Sequence, residues 1–171
     1  VVWVPFNEAW GQFDTPEVVK FTRELDPTRL INPASGGNYD FSAGVKGFGD
    51  IRDVHHYPCP ARNVFGRKFV NVLGEYGGIG YPIEGHTWII DRKWGYGKVK
   101  ESSKELMKQY EDYLEMLKTF VTNGCAAAVY TQTTDVEGEV NGLMTYDRKI
   151  IKVDMPRISA ANKAVIESMS K

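Results

Sequence analysis

The sequence predicts an α/β fold built on parallel strands, and three observations predict it. Short apolar runs rich in β-branched and aromatic residues recur along the 171-residue chain, the pattern of strands buried on both faces. Helical or long connecting segments separate those runs, as parallel crossovers require. Two of the runs stop at a glutamate beside glycine or aromatic residues: Glu8, ahead of Ala9-Trp10-Gly11, and Glu75, between Gly74 and Tyr76-Gly77-Gly78. A buried strand that ends this way delivers an acid to the strand end, where barrels of alternating strands and helices keep their chemistry.

Each element can be justified in order. Residues 1–6 read as the first strand and 11–14 as loop. Thr15-Pro16-Glu17 starts a helix, with Thr15 or Asp14 as N-cap and proline in the first turn. Val18, Phe21, Thr22 and Leu25 follow at helical spacing, and Asp26-Pro27 ends the run. Residues 30–34 form a second short strand, and a loop rich in Gly, Asn and Ser runs from 35 to about 49. Residues 51–57 alternate as a strand, stopped by Pro58 and Pro60; Asp53, His55 and Tyr57 share one face, Val54 and His56 the other. The next strand covers 69–73. The aromatic, glycine-rich stretch 76–97, with His86, Trp88, Trp94 and Tyr96, is too long for a plain connector.

Ser102-Ser103-Lys104-Glu105 offers a capping box, and Leu106, Tyr110, Leu114, Leu117 and Val121 make the clearest helical stripe in the chain. Asn123-Gly124 ends that helix, and 125–131 is a strand of small residues. An acidic loop at 135–141 and a short hairpin at 142–152 follow. Ser159 is expected to cap a last helix that packs through Ala160, Val165, Ile166 and Met169.

Composition narrows the function. With 42% hydrophobic and 12% aromatic residues the chain can bury one real core. A formal charge of −1 and the lack of a Lys/Arg-rich tract give no electrostatic case for nucleic acid or an anionic membrane. No apolar run approaches the roughly 18 residues of a membrane helix, and no signal-peptide pattern is present. Cys59 and Cys125 lack zinc or redox spacing and read as buried or idle thiols, with a disulfide between them as the alternative. The chain starts at Val1 inside a strand, so it is expected to be a piece of a longer protein.

Two carboxyls on one face suit glycoside hydrolysis: one acid protonates the leaving oxygen while the other carboxylate attacks the sugar carbon or activates water. Proximity of like charges splits the two roles. Each glutamate also reads, taken alone, as a structural or solvated strand-end acid.

Trp3-Val4-Pro5-Phe6-Asn7-Glu8-Ala9-Trp10-Gly11, Asp26-Pro27-Thr28-Arg29, Asp50-Ile51-Arg52-Asp53-Val54-His55-His56-Tyr57-Pro58 and Gly74-Glu75-Tyr76-Gly77-Gly78 closely resemble, in order, the catalytic domain of glycoside hydrolase family 2. This family comprises β-galactosidases, β-glucuronidases and β-mannosidases. The stretch 130–139 with Asn141-Gly142 is similar to the last-strand region of its less characterised bacterial members. The resemblance covers nearly the whole chain. It implies a partial (β/α)8 TIM barrel, strands four to eight with their helices, as a single catalytic-domain fragment over 1–171. It also implies a retaining, double-displacement mechanism with Glu8 as acid/base and Glu75 as nucleophile. Asn7 would hydrogen-bond the sugar 2-OH, Tyr57 would donate to the nucleophile, and His55 would touch sugar hydroxyls. Tyr130 stands where many relatives carry a tryptophan that floors the sugar subsite, and Trp10 is a candidate subsite wall.

A complete barrel has eight strands and about 250 residues. Strands one to three and the family's preceding β-sandwich domains would therefore lie elsewhere in the parent chain. Strand edges left open in such a half barrel favour self-association, and the half barrel alone is expected to turn over substrate weakly or not at all.

Asp53, His55, His56 and His86 have no metal-site spacing, and no metal or cofactor is called for. Glu137 and Glu139 read as a solvated or capping loop rather than a calcium site. Trp10, Trp88, Trp94 and Tyr96 suit sugar stacking and local packing equally. Gly47-Phe48-Gly49 lacks the Lys-Ser/Thr of a phosphate loop. The expectation is a retaining β-glycosidase acting on a carbohydrate. The alternative is a non-catalytic carbohydrate-binding or structural fragment of such an enzyme. The residues name neither the sugar, the linkage nor the compartment.

Overall fold

The structure, a computed structural model, describes residues 1–8, 11–36, 49–61 and 67–168. Trp10, the Gly47-Phe48 pair, most of the loop expected over 35–49, and Met169 lie outside the described residues.

The first expected strand is two short pieces, β1 (Val2–Trp3) and β2 (Phe6–Asn7). The second is likewise split into β3 (Leu30–Ile31) and β4 (Ala34–Ser35). Pro5 and Pro33 stand in the gaps, and proline has no N–H to give a ladder. Helix α1 (Thr15–Leu25) carries proline in its first turn; its N-cap is Asp14, in the left-handed region, with no side-chain capping bond. Strand β5 (Ile51–His56) matches its expected span to one residue. Strand β6 (Val70–Gly77) runs past 73 and carries Glu75 inside it. Then come α2 (Ser103–Thr122), β7 (Cys125–Thr131) and α3 (Met155–Glu167).

The capping of α2 is close to the expected box. Ser102 Oγ accepts the Glu105 N–H at 3.2 Å, while the Glu105 carboxylate accepts from Glu101 N–H at 3.1 Å rather than from Ser102. Helix α3 begins earlier than expected. Its cap is Asp154, whose side chain accepts the Arg157 N–H at 3.1 Å, with a proline in the first turn, so Ser159 lies within the helix.

All named strand pairings are parallel: β1 with β3, β2 with β4, and a sheet in the order β5-β6-β7. Backbone bonds continue the series, from Asp50 N–H to the Ile31 carbonyl (2.9 Å) and from Val70 N–H to the Asp50 carbonyl (3.0 Å). Strand neighbours in space are thus neighbours in sequence, and the chain is a mixed α/β structure with parallel strands, as expected. On the far side of β7, among the described residues, no named strand pairs, and Ala126, Ala127, Ala128 and Val129 are exposed.

One irregularity in this sheet positions the site. Val54 pairs with Leu73, but His55 pairs with Glu75, so Gly74 is an extra residue in β6. Strict alternation would place Glu75 on the face of Leu73. The bulge resets the alternation. Leu73 and Tyr76, three residues apart, both enter the core, and Glu75 is returned to the face of His55.

The core lies between β6–β7 and the helices α2 and α3, built from Leu73, Tyr76, Ile79, Leu106, Tyr110, Leu114, Leu117 and Ile158. Side chains of this size contribute roughly 1.5–3 kcal/mol each when fully buried. The predicted stripe is buried from Leu106 to Leu117, and Val121 is half-buried. Cys59 and Cys125 are thiols rather than a disulfide.

The segment after β7 is fastened by a buried ion pair. Lys152 Nζ lies 2.6 Å from Asp135 Oδ1 and also donates to the Val140 carbonyl at 3.1 Å. Gly142 N–H donates to the same Asp135 oxygen at 2.8 Å. Burial pushes the Asp135 carboxyl up and the Lys152 ammonium down, and each partner pulls the other back toward its charged form. We expect Lys152→Met to lose about 3 kcal/mol in denaturant unfolding, because Asp135 is left buried without its cation. Adding Asp135→Leu to that variant is expected to recover most of the loss.

The long segment 76–97 is pinned to the hairpin by His86, 2.8 Å from Asp147 Oδ2. The Thr145 hydroxyl first, then His86, holds the Asp147 carboxyl down at about 2. A lowered folded-state value stabilises above the unfolded value, near 3.9, and that stabilisation is lost as pH falls toward about 2. Thermal melts of Asp147→Asn are therefore expected to lose stability relative to wild type at pH 5–6, with the gap closing by pH 2.

Candidate active site

The site is assembled around a carboxylate that does not itself face the open end of the sheet. Asp53 on β5 is 1% exposed. Its Oδ2 accepts from Asn32 Nδ2 at 2.7 Å and from the Ser35 hydroxyl at 2.9 Å, and its Oδ1 accepts the Gly74 N–H at 2.6 Å. The donors come from the second strand and from the bulge in β6, so one buried acid ties three adjacent strands. Gly74 is required here: a Cβ on it would fall on the Asp53 carboxylate.

Two residues on, His55 shares the face of Asp53, as alternation predicts. Its Nε2 lies 2.8 Å from Ser35 Oγ. Its Nδ1 lies 3.1 Å from Glu8 Oε1 and 3.4 Å from Glu75 Oε2. The imidazole side chain is only 6% exposed, while both glutamates are about a third exposed. Gly36, at φ +93°, lies against the ring; a Cβ there would come 3.1 Å from Nδ1. Glu8 follows β2 with φ +56°, an uncommon conformation for a residue with a side chain. Its N–H donates to the Ser35 carbonyl at 2.7 Å, so the turn that aims Glu8 is tied to the strand carrying Ser35.

Tyr57 completes the group. Its hydroxyl donates to Glu75 Oε2 at 2.5 Å and lies 2.7 Å from Thr131 Oγ1. With one phenolic proton committed to the carboxylate, Thr131 is the donor in the second bond. Burial first, then the hydrogen bond to Glu75, pushes the Tyr57 hydroxyl far up, so it stays a neutral donor. Tyr96 stacks on Tyr57 with centroids 3.6 Å apart and planes 8° from parallel, and Trp94 meets Tyr96 edge-on at 5.3 Å. Burial raises the Tyr96 hydroxyl, and the charges of Glu139, Glu75 and Glu8 raise it further. The Tyr57–Pro58 and Thr131–Gln132 peptides are cis.

Of the residues expected at a site, Glu8, Glu75, His55 and Tyr57 are brought together. Asn7 is exposed on β2, paired with Ser35. Tyr130 is placed apart from them. Its ring meets Tyr76 and Tyr110 edge-on, and its hydroxyl accepts from Ile79 N–H at 3.2 Å and donates to the Asn141 carbonyl at 3.3 Å. Trp88 lies against Tyr146.

The four residues weighed as a metal set are not gathered. His56 Nδ1 bonds the Cys59 carbonyl (2.8 Å), and His86 bonds Asp147. Glu8, His55 and Glu75 each present an atom within 4.8 Å of the others, and the Glu8–His55 hydrogen bond lies within that group. Glu139 is satisfied by Gln132 and Asn141, at 2.8 and 3.1 Å, as a capping loop would be.

Ser35, Thr131, Asn32 and Gly74 went unrecognised as site residues. Ser35 and Thr131 had one signal, since each ends a strand on the side where Glu8 and Glu75 emerge. The bulge at Gly74 had none beyond the glycine itself.

No protein-family model matches the chain, and no curated protein matches it either.

Gly74→Ala is expected to cost at least about 2 kcal/mol, because its methyl group displaces the Asp53 carboxylate from its donors. A matched Ala substitution at exposed Gly85, whose Cβ would meet nothing within 4 Å, is expected to cost less in the same urea titration, its positive φ being the remaining penalty.

Proposed function

We propose that the chain is the catalytic part of a retaining β-glycosidase similar to glycoside hydrolase family 2, its strands forming the fourth to eighth of a (β/α)8 barrel. One observation carries the reading: an oxygen of Glu8 and an oxygen of Glu75 lie within 4.8 Å, on the same side of one imidazole. Retaining enzymes hold their two carboxyl groups about 5–5.5 Å apart, and inverting enzymes about 6.5–9.5 Å. The sequential parallel order of the strands supports the barrel assignment.

The roles follow from the surroundings. Glu75 accepts a hydrogen bond from the Tyr57 hydroxyl at 2.5 Å, which fixes its carboxylate in place and suits a nucleophile. Glu8 is placed to give a proton to the glycosidic oxygen as Glu75 bonds to the anomeric carbon. Glu8 then takes a proton from water, whose oxygen displaces Glu75. Asn7, next to Glu8, is the candidate donor to the sugar 2-OH.

A 2-deoxy-2-fluoroglycosyl fluoride traps the covalent intermediate. Mass spectrometry is expected to find the adduct on the peptide holding Glu75, and Glu75→Gln to abolish it. Glu8→Ala is expected to slow turnover about 10²–10⁴-fold with poor leaving groups. Absence of an adduct with galactosyl, glucuronyl and mannosyl probes, on the protein that carries the whole barrel, would favour a non-catalytic carbohydrate-binding or structural role.

A further inference from the structure

We propose that the acid proton of this site is shared between Glu8 and His55, and that Asp53, acting through Ser35, fixes the imidazole so that it can be shared. The proposal rests on the glycosidase reading for its catalytic consequence. The proton arrangement itself rests on hydrogen-bond geometry.

Counting donors and acceptors leads there. Asp53 accepts on both oxygens, from Asn32, Ser35 and Gly74. Ser35 has one hydroxyl proton, and the carboxylate takes it. Ser35 Oγ can then only accept from His55 Nε2, at 2.8 Å, which fixes a proton on Nε2. Nδ1 is left facing Glu8 Oε1 at 3.1 Å and Glu75 Oε2 at 3.4 Å. Glu75 Oε2 already accepts from Tyr57. A bare ring nitrogen and a bare carboxylate oxygen repel at 3.1 Å, so one proton lies between Nδ1 and Glu8. It sits on the imidazole and is donated to Glu8, or on Glu8 and is donated to the imidazole; it belongs to the pair.

Among the described residues, the titratable groups around the ring are Glu8 after β2, Asp53 through Ser35, Glu75 from β6, and Tyr57 and Tyr96 beyond Glu75. The two tyrosines are held neutral, so the ring is the basic group among three carboxyls. During glycosylation the pair delivers its proton to the glycosidic oxygen, which also takes the electrons of the breaking C–O bond, while Glu75 bonds to the anomeric carbon. During deglycosylation a proton from water restores the pair, the water oxygen bonds to the anomeric carbon, and the ester to Glu75 breaks. His55 never touches the sugar in this scheme; it is a positioning residue.

His55→Asn separates this role from mere structure, because asparagine can place an N–H near the position of Nδ1 but cannot share a titrating proton. The alkaline limb of kcat/KM is expected to move to lower pH by about one pH unit, about a tenfold loss on that side. With a dinitrophenyl leaving group, which needs little acid assistance, the loss is expected to stay within about threefold. Ser35→Ala is expected to shift the limb in the same direction. An unmoved limb, or equal loss with both leaving groups, overturns the proposal.

Nitrogen-15 spectra of histidine-labelled protein read the arrangement without turnover. His55 is expected to keep a proton on Nε2, with Nδ1 intermediate between protonated and bare, and Glu8→Gln to move Nδ1 to the bare range. Identical Nδ1 shifts in wild type and Glu8→Gln overturn the shared proton. Failure of the wild type to react with any fluorosugar, with these spectra as expected, overturns the glycosidase reading alone.

Discussion

The arrangement depends first on the buried Asp53 carboxylate. A carboxylate removed from water must recover its hydration from protein donors, and Asp53 does so from two stretches that the sequence keeps far apart: Asn32 and Ser35 on one, Gly74 on the other. Hydrogen bonds to a charged acceptor are worth about 1.5–3 kcal/mol each, so the acid sets the relative register of the strands that supply them. The bulge at Gly74 is part of the same constraint, since its N–H is a donor and its missing side chain leaves room for the acceptor. Glu75 faces His55 because of that bulge. The site geometry is therefore set by a residue that is not placed to meet substrate.

Much of this was legible in the residues and some was not. Alternation put Asp53, His55 and Tyr57 on one face, and the structure has them there. Acids closing short apolar runs marked Glu8 and Glu75, and the 3.6-residue spacing of Leu106, Tyr110, Leu114 and Leu117 gave α2. What failed has physical causes. Pro5 and Pro33 split strands whose side-chain pattern is continuous, because patterning reports burial and not backbone donors. Ser159 has the chemistry of a cap, but Asp154 with proline two residues on has it too and comes first in the chain. Strand β6 was ended early because a bulge breaks the period that marks a strand. Tyr130 was expected beside the sugar from its place in the chain, yet its ring packs with Tyr76 and Tyr110, as a large side chain does when an aromatic-lined space lies on its own face.

Two buried acids make an instructive contrast. Asp135 is neutralised by Lys152, with a backbone N–H as support. Among the described residues Asp53 is held by neutral donors, an amide, a hydroxyl and a backbone N–H. Around Asp135 the local charge sums to about zero, and the loop it holds gains a fixed anchor. Asp53 is instead linked through the hydroxyl of Ser35 to His55. With Glu8 and Glu75 close by, the arrangement concentrates carboxyl groups on one side of a single imidazole.

That concentration has a chemical consequence. Among closely placed like charges, binding a proton relieves repulsion, and the site that binds it is the one with the best acceptor geometry. Tyr57 donates to Glu75 at 2.5 Å, which occupies the Oε2 oxygen that also faces the imidazole. Glu8, facing Nδ1 of a ring whose other nitrogen is already committed, is where the proton is best held. Two carboxyls of the same kind, a few ångströms apart, are thereby given different hydrogen-bond partners: a phenol on one side, an imidazole on the other. On the proposed glycosidase reading, the division of labour between an acid and a nucleophile then originates in Ser35, Asp53, Tyr57 and Thr131 rather than in the glutamates themselves.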